Sequence, residues 1–202
     1  MAKIICVANR KGGVGKTTLA TNLAVALNNK GKSILIDADE QQSAFKWANQ
    51  RDDIECITIH SDLLEKLEQL DKEYEYILID VAGRDSTIFR EALLVSDTLI
   101  VPTQPSLLDL EVLDYMQKKV KTAKQTNENL KAYVLINRAA VRTTELKDAI
   151  EFIAEFDQFK LLKTVLFERK QFRDAIVESK SVTEMNASKA KDELNQLIIE
   201  LL

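Results

Sequence analysis

A glycine-rich loop near the start of the chain constrains the fold more than any other stretch does. Residues 10–18 read RKGGVGKTT; they follow an apolar run at 4–8 and precede apolar residues at helical spacing over 19–27. A strand that turns through glycines into a helix directs backbone N–H groups and the positive end of the helix dipole at one point. Glycine carries no side chain, so an anion can approach the backbone closely. The segment therefore predicts a strand–loop–helix unit that binds phosphate.

Lysines and threonines complete this loop. Lys16 is placed to reach the outer phosphates of a nucleotide, and the Thr17 hydroxyl to ligate Mg²⁺. The general pattern G-x-x-x-x-G-K-[ST] is matched incompletely, because Arg10 stands in place of its first glycine and a second lysine, Lys11, follows. The candidate nucleotide-binding residues of the loop are Lys11, Gly12, Gly13, Val14, Gly15, Lys16, Thr17 and Thr18.

Apolar runs alternate with segments of helical periodicity along the whole chain. Most of the runs are continuously aliphatic, which is typical of parallel strands covered by helices on both faces. The predicted strands are 3–8, 33–37, 55–59, 76–80, 98–101, 132–137 and 162–167. The predicted helices are 17–29, 42–50, 61–70, 87–95, 107–126, 143–156, 170–178 and 187–202. Without repeats or Pro-, Gly- or Ser-rich linkers, the pattern predicts one α/β domain over residues 1–202.

Acidic residues follow two of the predicted strands. Asp37 and Asp39 come at the end of the run 33–37, and Asp80 ends the run 76–80. The carboxyl ends of parallel strands face the crevice in which open α/β sheets bind ligands. Beside a phosphate loop, carboxylates can hold water on Mg²⁺ or orient an attacking water. The alternative for Asp37 and Asp39 is a pair of surface residues that cap a helix.

Composition excludes several other classes of site. With 46% hydrophobic and 30% charged residues, the chain is typical of a soluble globular protein. Two isolated cysteines, Cys6 and Cys56, form neither a zinc pattern nor a disulfide framework, and the single histidine, His60, rules out a catalytic triad. No run is long enough for a membrane span, and the first run is too short for a signal peptide. We therefore expect a cytoplasmic protein.

Charge is unevenly distributed along the chain. The net charge is −4, yet residues 118–147 carry eight basic residues against Glu128 and Glu145. An anionic polymer responds to such a local excess rather than to the net charge. The alternative is that these lysines form the solvated face of a helix.

The motifs together resemble those of the ParA/MinD family of dimerising ATPases. The segment KGGVGKTT at 11–18 is the deviant Walker A motif, and Asp37–Gln41 resembles the family's D-x-D-P-Q motif, with Glu40 in place of proline. Asp80 fits a Walker B strand, and Pro102–Asp109 resembles the P-x-x-P-S-x-x-D segment of small plasmid-type ParA proteins. The resemblance implies a three-layer P-loop NTPase fold with a mostly parallel, twisted sheet of about seven or eight strands.

The resemblance also assigns roles to individual residues. It implies that Asp39 activates water, with Lys11 and Lys16 as the other catalytic residues. It implies Thr17, Asp37 and Asp80 as the magnesium site. Adenine would lie against Asn137 and Arg138, with Arg169 in a loop that closes over the base. DNA would contact Arg169, Lys170, Arg173 and Lys180.

The function implied by the resemblance is ATP-dependent DNA partition of a plasmid or chromosome. ATP and Mg²⁺ would be the cofactors, and two subunits would form a nucleotide-sandwich homodimer in which each Lys11 reaches the partner's phosphates. The dimer would bind nonspecific double-stranded DNA and be stimulated by a centromere-binding partner, either ParB-like or a ribbon-helix-helix protein. We expect a nucleoid-associated short form without an N-terminal helix-turn-helix domain.

Three alternatives stay open. The same fold serves positioning ATPases whose cargo is a protein cluster moved over the nucleoid. A MinD-like membrane-based regulator would need a cationic terminal helix. Here Asp192, Glu193 and Glu200 would be repelled by anionic lipid, so that we expect a helix docked on the core and no membrane partner. A dethiobiotin synthetase-like ligase is the third, and Lys11 favours the dimeric ATPase over it.

Overall fold

The computed structural model describes residues 1–141 and 143–202. Within these ranges the chain forms seven strands and nine helices. The strands are β1 (Lys3–Val7), β2 (Ser33–Ala38), β3 (Cys56–Thr58), β4 (Tyr76–Val81), β5 (Thr98–Thr103), β6 (Lys131–Ile136) and β7 (Lys160–Leu161). The helices are α1 (Lys16–Asn28), α2 (Ser43–Ala48), α3 (Leu63–Leu70), α4 (Thr87–Val95), α5 (Leu107–Leu110), α6 (Val112–Ala123), α7 (Glu145–Ile153), α8 (Lys170–Val177) and α9 (Lys189–Leu201).

All seven strands belong to one parallel sheet with the order β3-β2-β4-β1-β5-β6-β7. Helices α1, α2, α8 and α9 pack on one face, and α3 to α7 on the other. The strands read as continuous apolar runs because both of their faces are covered. These three layers confirm the predicted fold class, an α/β P-loop NTPase fold with a parallel sheet.

The central position of β1 determines where a ligand can bind. Its neighbours are β4 on one side and β5 on the other. Strands β2 to β4 therefore lie to one side of β1, and strands β5 to β7 lie to the other side. A crevice opens at such a switch point, beyond the carboxyl ends of the strands. The glycine loop that follows Val7 lies in that crevice.

The last predicted strand is wrong in position. β7 is Lys160–Leu161, and the predicted run 162–167 contributes a single bridge, between Phe167 and Ala139. Several N–H groups of this run donate to side-chain carboxylates of α9 instead of to a neighbouring strand. The aliphatic composition that favoured a strand instead reflects burial, with Leu162 and Leu166 in the core.

Most observed helices differ from the predicted ones by one to three residues in total, and two differ more. The predicted helix 107–126 is divided into α5 and α6 at Glu111, which keeps helical backbone angles (φ −54°, ψ −28°). The predicted helix 143–156 begins at Glu145 and ends at Ile153. The predicted bounds of α4, 87–95, are confirmed. Its N-cap is Ser86, whose hydroxyl accepts a hydrogen bond from Phe89 N–H.

Candidate active site: a phosphate loop with buried aspartates

The phosphate loop depends on glycine at two positions. Gly13 (φ 76°) and Gly15 (φ 89°) have left-handed backbone angles that side chains disfavour. At Gly15 a Cβ atom would also lie 2.5 Å from Nδ2 of Asn137. The loop is therefore packed directly against the end of β6. This contact brings Asn137, a predicted base-binding residue, to the phosphate loop.

The N-terminus of α1 is open to an anion. In the described residues no side chain caps it, and its first turn contains no acidic residue. Unpaired N–H groups and the helix dipole favour negative charge at this point. The loop and α1 thus place an uncapped helix N-terminus where the sequence predicts an anion site, and anion binding there stays a prediction.

Lys16 lies at the base of this site and is 9% exposed. Its Nζ donates to the carbonyl oxygen of Lys11 at 3.2 Å. Burial lowers the pKa of Lys16, while Asp80 and Asp39 act in the opposite direction. A buried ammonium with one carbonyl partner has further donors for phosphate oxygens.

Asp37 and Asp80 lie opposite each other on the paired strands β2 and β4. Both Asp37 oxygens accept backbone hydrogen bonds: Oδ1 from Asp39 N–H at 3.0 Å and Oδ2 from Phe45 N–H at 2.9 Å. Asp37 therefore shapes the turn that carries Asp39. Its predicted place in the magnesium site stays a prediction.

Asp80 is 1% exposed, and neither of its carboxylate oxygens accepts a hydrogen bond of normal geometry. Burial raises the pKa of Asp80 to about 7, although the Thr17 hydroxyl and Lys16 ammonium act to lower it. An unpartnered buried carboxylate is costly unless a cation or water completes it. Because Mg²⁺ prefers oxygen ligands and keeps several waters, Asp80 and Thr17 fit a magnesium site beside bound phosphate. Within the described ranges, no three or more His, Cys, Asp or Glu side chains are grouped so that they could hold a metal ion.

The raised pKa of Asp80 predicts an unusual stability effect. The pKa of an ordinary aspartate is about 3.9. Between that pH and about 7, Asp80 is therefore protonated in the folded chain and ionised in the unfolded chain. Stability of the nucleotide-free protein should therefore fall as pH rises through this window. We expect Asp80→Asn to raise the free energy of unfolding at pH 8 by on the order of 3 kcal/mol and to leave it nearly unchanged at pH 4.

Urea denaturation of both proteins at pH 4 to 8 in EDTA measures this difference. Groups that titrate identically in the two proteins make equal contributions, which cancel in the difference between the two free energies of unfolding. A variant that is less stable than the wild type at pH 8 would show that the Asp80 carboxylate is satisfied in the fold.

Asp39 is half-buried at the rim of the crevice. Its Oδ1 accepts a hydrogen bond from Gln41 N–H at 2.9 Å. Glu40, which stands where the resemblance expects proline, forms an ion pair with Arg84 in the segment after β4. Gly83 lies so close to the phosphate loop that a Cβ atom would be 2.7 Å from the Arg10 carbonyl oxygen. The loops after β2 and β4 thus both adjoin the phosphate loop.

Lys11 points away from the interior, with 41% of its side chain exposed. Its Nζ lies 3.8 Å from Oδ1 of Asp109, a mostly buried carboxylate that also accepts from the Ser106 hydroxyl. At that separation the contact is a weak ion pair. The Lys11 ammonium remains available to another partner.

A cavity of about 390 Å³ adjoins the phosphate loop on the side of α8 and α9. Asn137 lines it and donates from Nδ2 to the Val14 carbonyl oxygen at 2.7 Å. Arg138 donates to the Gly13 carbonyl oxygen at 2.8 Å and to Glu168 at 2.7 Å. Arg169 also lines the cavity. The structure therefore brings all three predicted base-binding residues to one cavity beside the loop.

The four predicted DNA-binding cations are each paired with an acid. Arg169 with Glu193 and Arg173 with Glu168 lie at 2.5 Å, Lys180 with Glu178 at 2.9 Å, and Lys170 with Asp174 at 3.3 Å. The Arg169 side chain is 20% exposed, whereas Lys170 is 77% exposed. Exposed pairs are worth little and exchange partners easily. DNA contact by these residues stays a prediction.

Glu193 and Glu168 are site residues that the sequence did not reveal. Glu193 belonged to the polar side of the predicted last helix, and Glu168 to a basic loop. Their partners lie 24 and 30 residues away along the chain. No local spacing could have signalled such pairs.

A glycine loop between a parallel strand and a helix, with aspartates on neighbouring strands, defines a nucleotide-binding domain of the P-loop class. Residues 5–182 match the CobQ/CobB/MinD/ParA nucleotide binding domain. The chain belongs to this family and is a ParA/MinD-type ATPase.

Similar proteins span nearly the whole chain. The maintenance of carboxysome distribution protein A of Halothiobacillus neapolitanus is 30% identical over an alignment of 208 positions, gaps included. The alignment covers 98% of this chain and 95% of that protein. An AMPPNP-bound plasmid partition protein of Borrelia burgdorferi aligns with a TM-score of 0.79 at 22% identity, covering 100% of both chains. An ATP complex of a Cyanothece McdA variant has a TM-score of 0.82 at 16% identity, covering 99% of this chain and 96% of the other.

The terminal helix α9 packs on the core. Ala190, Leu194 and Leu197 are fully buried against the α1 face of the sheet. Across the parts of the chain that the structure describes, the helices are too short or too polar to traverse a bilayer.

Proposed function

We propose that this protein hydrolyses ATP with Mg²⁺, and the observation that carries the proposal is the unpartnered Asp80 carboxylate beside Thr17 and Lys16. The loop N–H groups and Lys16 bind the phosphates. Thr17, Asp80 and Asp37 would hold Mg²⁺, which when bound would supply positive charge against the charge that develops on the phosphates. Asp39 orients a water for attack on the outer phosphate.

Adenine is the base that the cavity supports. Nδ2 of Asn137 donates one of its two hydrogens to the Val14 carbonyl, which leaves Oδ1 as an acceptor and the second N–H as a donor for a ligand. The Oδ1 acceptor can pair with the 6-amino group of adenine, a position where guanine carries an oxo group instead. Arg138 and Arg169 enclose the base from the sides.

ATP binding drives formation of a homodimer in this proposal. Lys11 has a weak partner in its own chain and an exposed ammonium. Across a two-fold interface it would meet the phosphates of the facing subunit, where its charge stabilises phosphoryl transfer. ATP then acts as a ligand that shifts a monomer–dimer equilibrium.

The dimer moves a cargo over DNA in the cytoplasm, at the nucleoid and without a membrane partner. Our first candidate is DNA partition, in which the dimer binds nonspecific double-stranded DNA and a ParB-like or ribbon-helix-helix protein stimulates hydrolysis. The second is positioning of a protein cargo by the same cycle. It is supported by the 30% identity to the carboxysome distribution protein over nearly its whole length.

Duplex DNA binding tests both candidates. We expect binding in the presence of ATP and Mg²⁺ and none with ADP, because a dimer doubles the cationic surface. Raising the salt from 50 to 200 mM should weaken binding by about tenfold or more, since phosphate contacts release counterions. Fluorescence anisotropy of a labelled random duplex measures this.

Anionic liposomes serve as the parallel control and should not sediment the protein with ATP. Salt-insensitive DNA binding, or none in any nucleotide state, would contradict both candidates. ATP-dependent liposome binding would instead favour a membrane-based regulator.

A further inference from the structure

The segment 162–169 lies between β7 and α8, and its last four residues, 166–169, form one wall of the cavity beside the phosphate loop. On one side, N–H groups of Leu162, Leu166 and Glu168 donate to carbonyl oxygens of the β6 region at 2.9 to 3.0 Å. The segment is thereby attached to the sheet along one edge. Its other edge faces α9 rather than a strand.

Two carboxylates of α9 take the place of the missing strand. Glu200 accepts from the N–H groups of Lys163 at 2.7 Å and Thr164 at 3.0 Å. Glu193 accepts from Phe167 N–H at 3.2 Å. Because these glutamates are seven residues apart, two helical turns, they lie on the same face of α9.

Glu193 also binds the side chain of Arg169 at the end of the segment. Its Oε1 accepts from Nε and Nη2 of Arg169 at 2.9 and 2.5 Å, and 14% of the Glu193 side chain is exposed. The Arg169 guanidinium lies 5.4 Å from the centre of the Phe167 ring. Charge-assisted bonds in a partly buried setting are the strong ones, so Arg169 has one defined position at the cavity wall.

Glu200 holds the start of the segment as an ionised group. Burial acts against its charge, but the N–H groups of Lys163 and Thr164 outweigh burial and lower the pKa of Glu200. Glu200 therefore keeps its hydrogen bonds to Lys163 and Thr164 at neutral pH.

We propose that α9 positions the nucleoside wall of the cavity, with Glu193 as a positioning residue that orients Arg169 and Phe167 toward a bound base. The inference rests on the proposed function, since it requires that the cavity takes the nucleoside of ATP. Glu193 touches no ligand itself. Helix α9 is then a part of the nucleotide site rather than an outer support of the core.

Two probes separate the nucleoside from the phosphates. Inorganic tripolyphosphate binds the phosphate loop alone, whereas ATP also occupies the cavity. We expect Glu193→Gln to weaken ATP binding by about tenfold, the effect of losing roughly one charge-assisted hydrogen bond. Its affinity for tripolyphosphate should stay that of the wild type. Isothermal titration calorimetry with both probes measures the ratio.

Matched variants separate positioning from loss of fold. Asp192→Asn removes the neighbouring exposed carboxylate of α9 and should leave both affinities unchanged. Arg169→Gln should reproduce the effect of Glu193→Gln, and the double variant should add little to either, because the two residues act through one contact. A melting curve for each variant shows whether it is folded.

The outcomes distinguish this inference from the proposed function. If wild-type protein binds ATP no more tightly than tripolyphosphate, the cavity holds no nucleoside and both fail. If the wild type prefers ATP and Glu193→Gln and Arg169→Gln keep that preference in full, the positioning role is overturned and the proposed function stands. Equal weakening of ATP and tripolyphosphate would also overturn it, since a general structural role would explain that result.

Discussion

Lys16→Ala should abolish ATP-dependent dimerisation and weaken ATP binding by about 100-fold or more, the range expected when strong charge-assisted phosphate contacts are lost in a desolvated site. Lys16 is 9% exposed, and its spare donors lie at the N-terminus of α1. A water that replaced the ammonium would carry no charge to offset the phosphates. Titration calorimetry measures binding, and light scattering with ATP measures the dimer.

Lys11→Ala is the matched control in the same loop. Lys11 has 41% of its side chain exposed and forms only a weak ion pair with Asp109 in its own chain. This variant should still bind ATP as a monomer and fail to dimerise. An unchanged ATP-dependent dimer for Lys16→Ala would show that nucleotide is not bound at this loop.

Asp39→Ala should reduce the single-turnover rate of ATP hydrolysis by about 100-fold or more, because positioned acid–base groups contribute on that scale. ATP affinity and the dimer should be retained, since Lys16 and the loop N–H groups carry phosphate binding. The Asp39 side chain is held by Gln41 N–H, at the end of a turn that Asp37 shapes. Quenched-flow measurement of phosphate release checks the rate.

Glu40→Gln tests whether any neighbouring carboxylate would have the same effect. Glu40 is 65% exposed and its pair with Arg84 lies at the surface, where ion pairs contribute little. We expect its hydrolysis rate to stay close to that of the wild type. Loss of nucleotide binding in Asp39→Ala would instead make Asp39 a structural residue of the turn.

Short-range patterns predicted most of the fold. Six of the seven strands occur where continuous apolar runs placed them, because a buried parallel strand must be apolar on both faces. The run 162–167 had the same composition and is not a strand. Its N–H groups are divided between β6 and the carboxylates of α9, and composition reports burial rather than the identity of a hydrogen-bond acceptor.

The kind of site could be predicted from short sequence patterns. Lys16 and Thr17 directly follow the glycines and begin the helix. Asp37 and Asp80 lie near the carboxyl ends of their strands, and in a parallel sheet these ends lie along the same edge. Three contacts of the site could be seen only in the folded chain. Asn137 donates to the Val14 carbonyl, Lys11 lies beside Asp109, and α9 binds the cavity wall. Those contacts join residues 24 to 123 positions apart, and packing, not local spacing, brings such residues together.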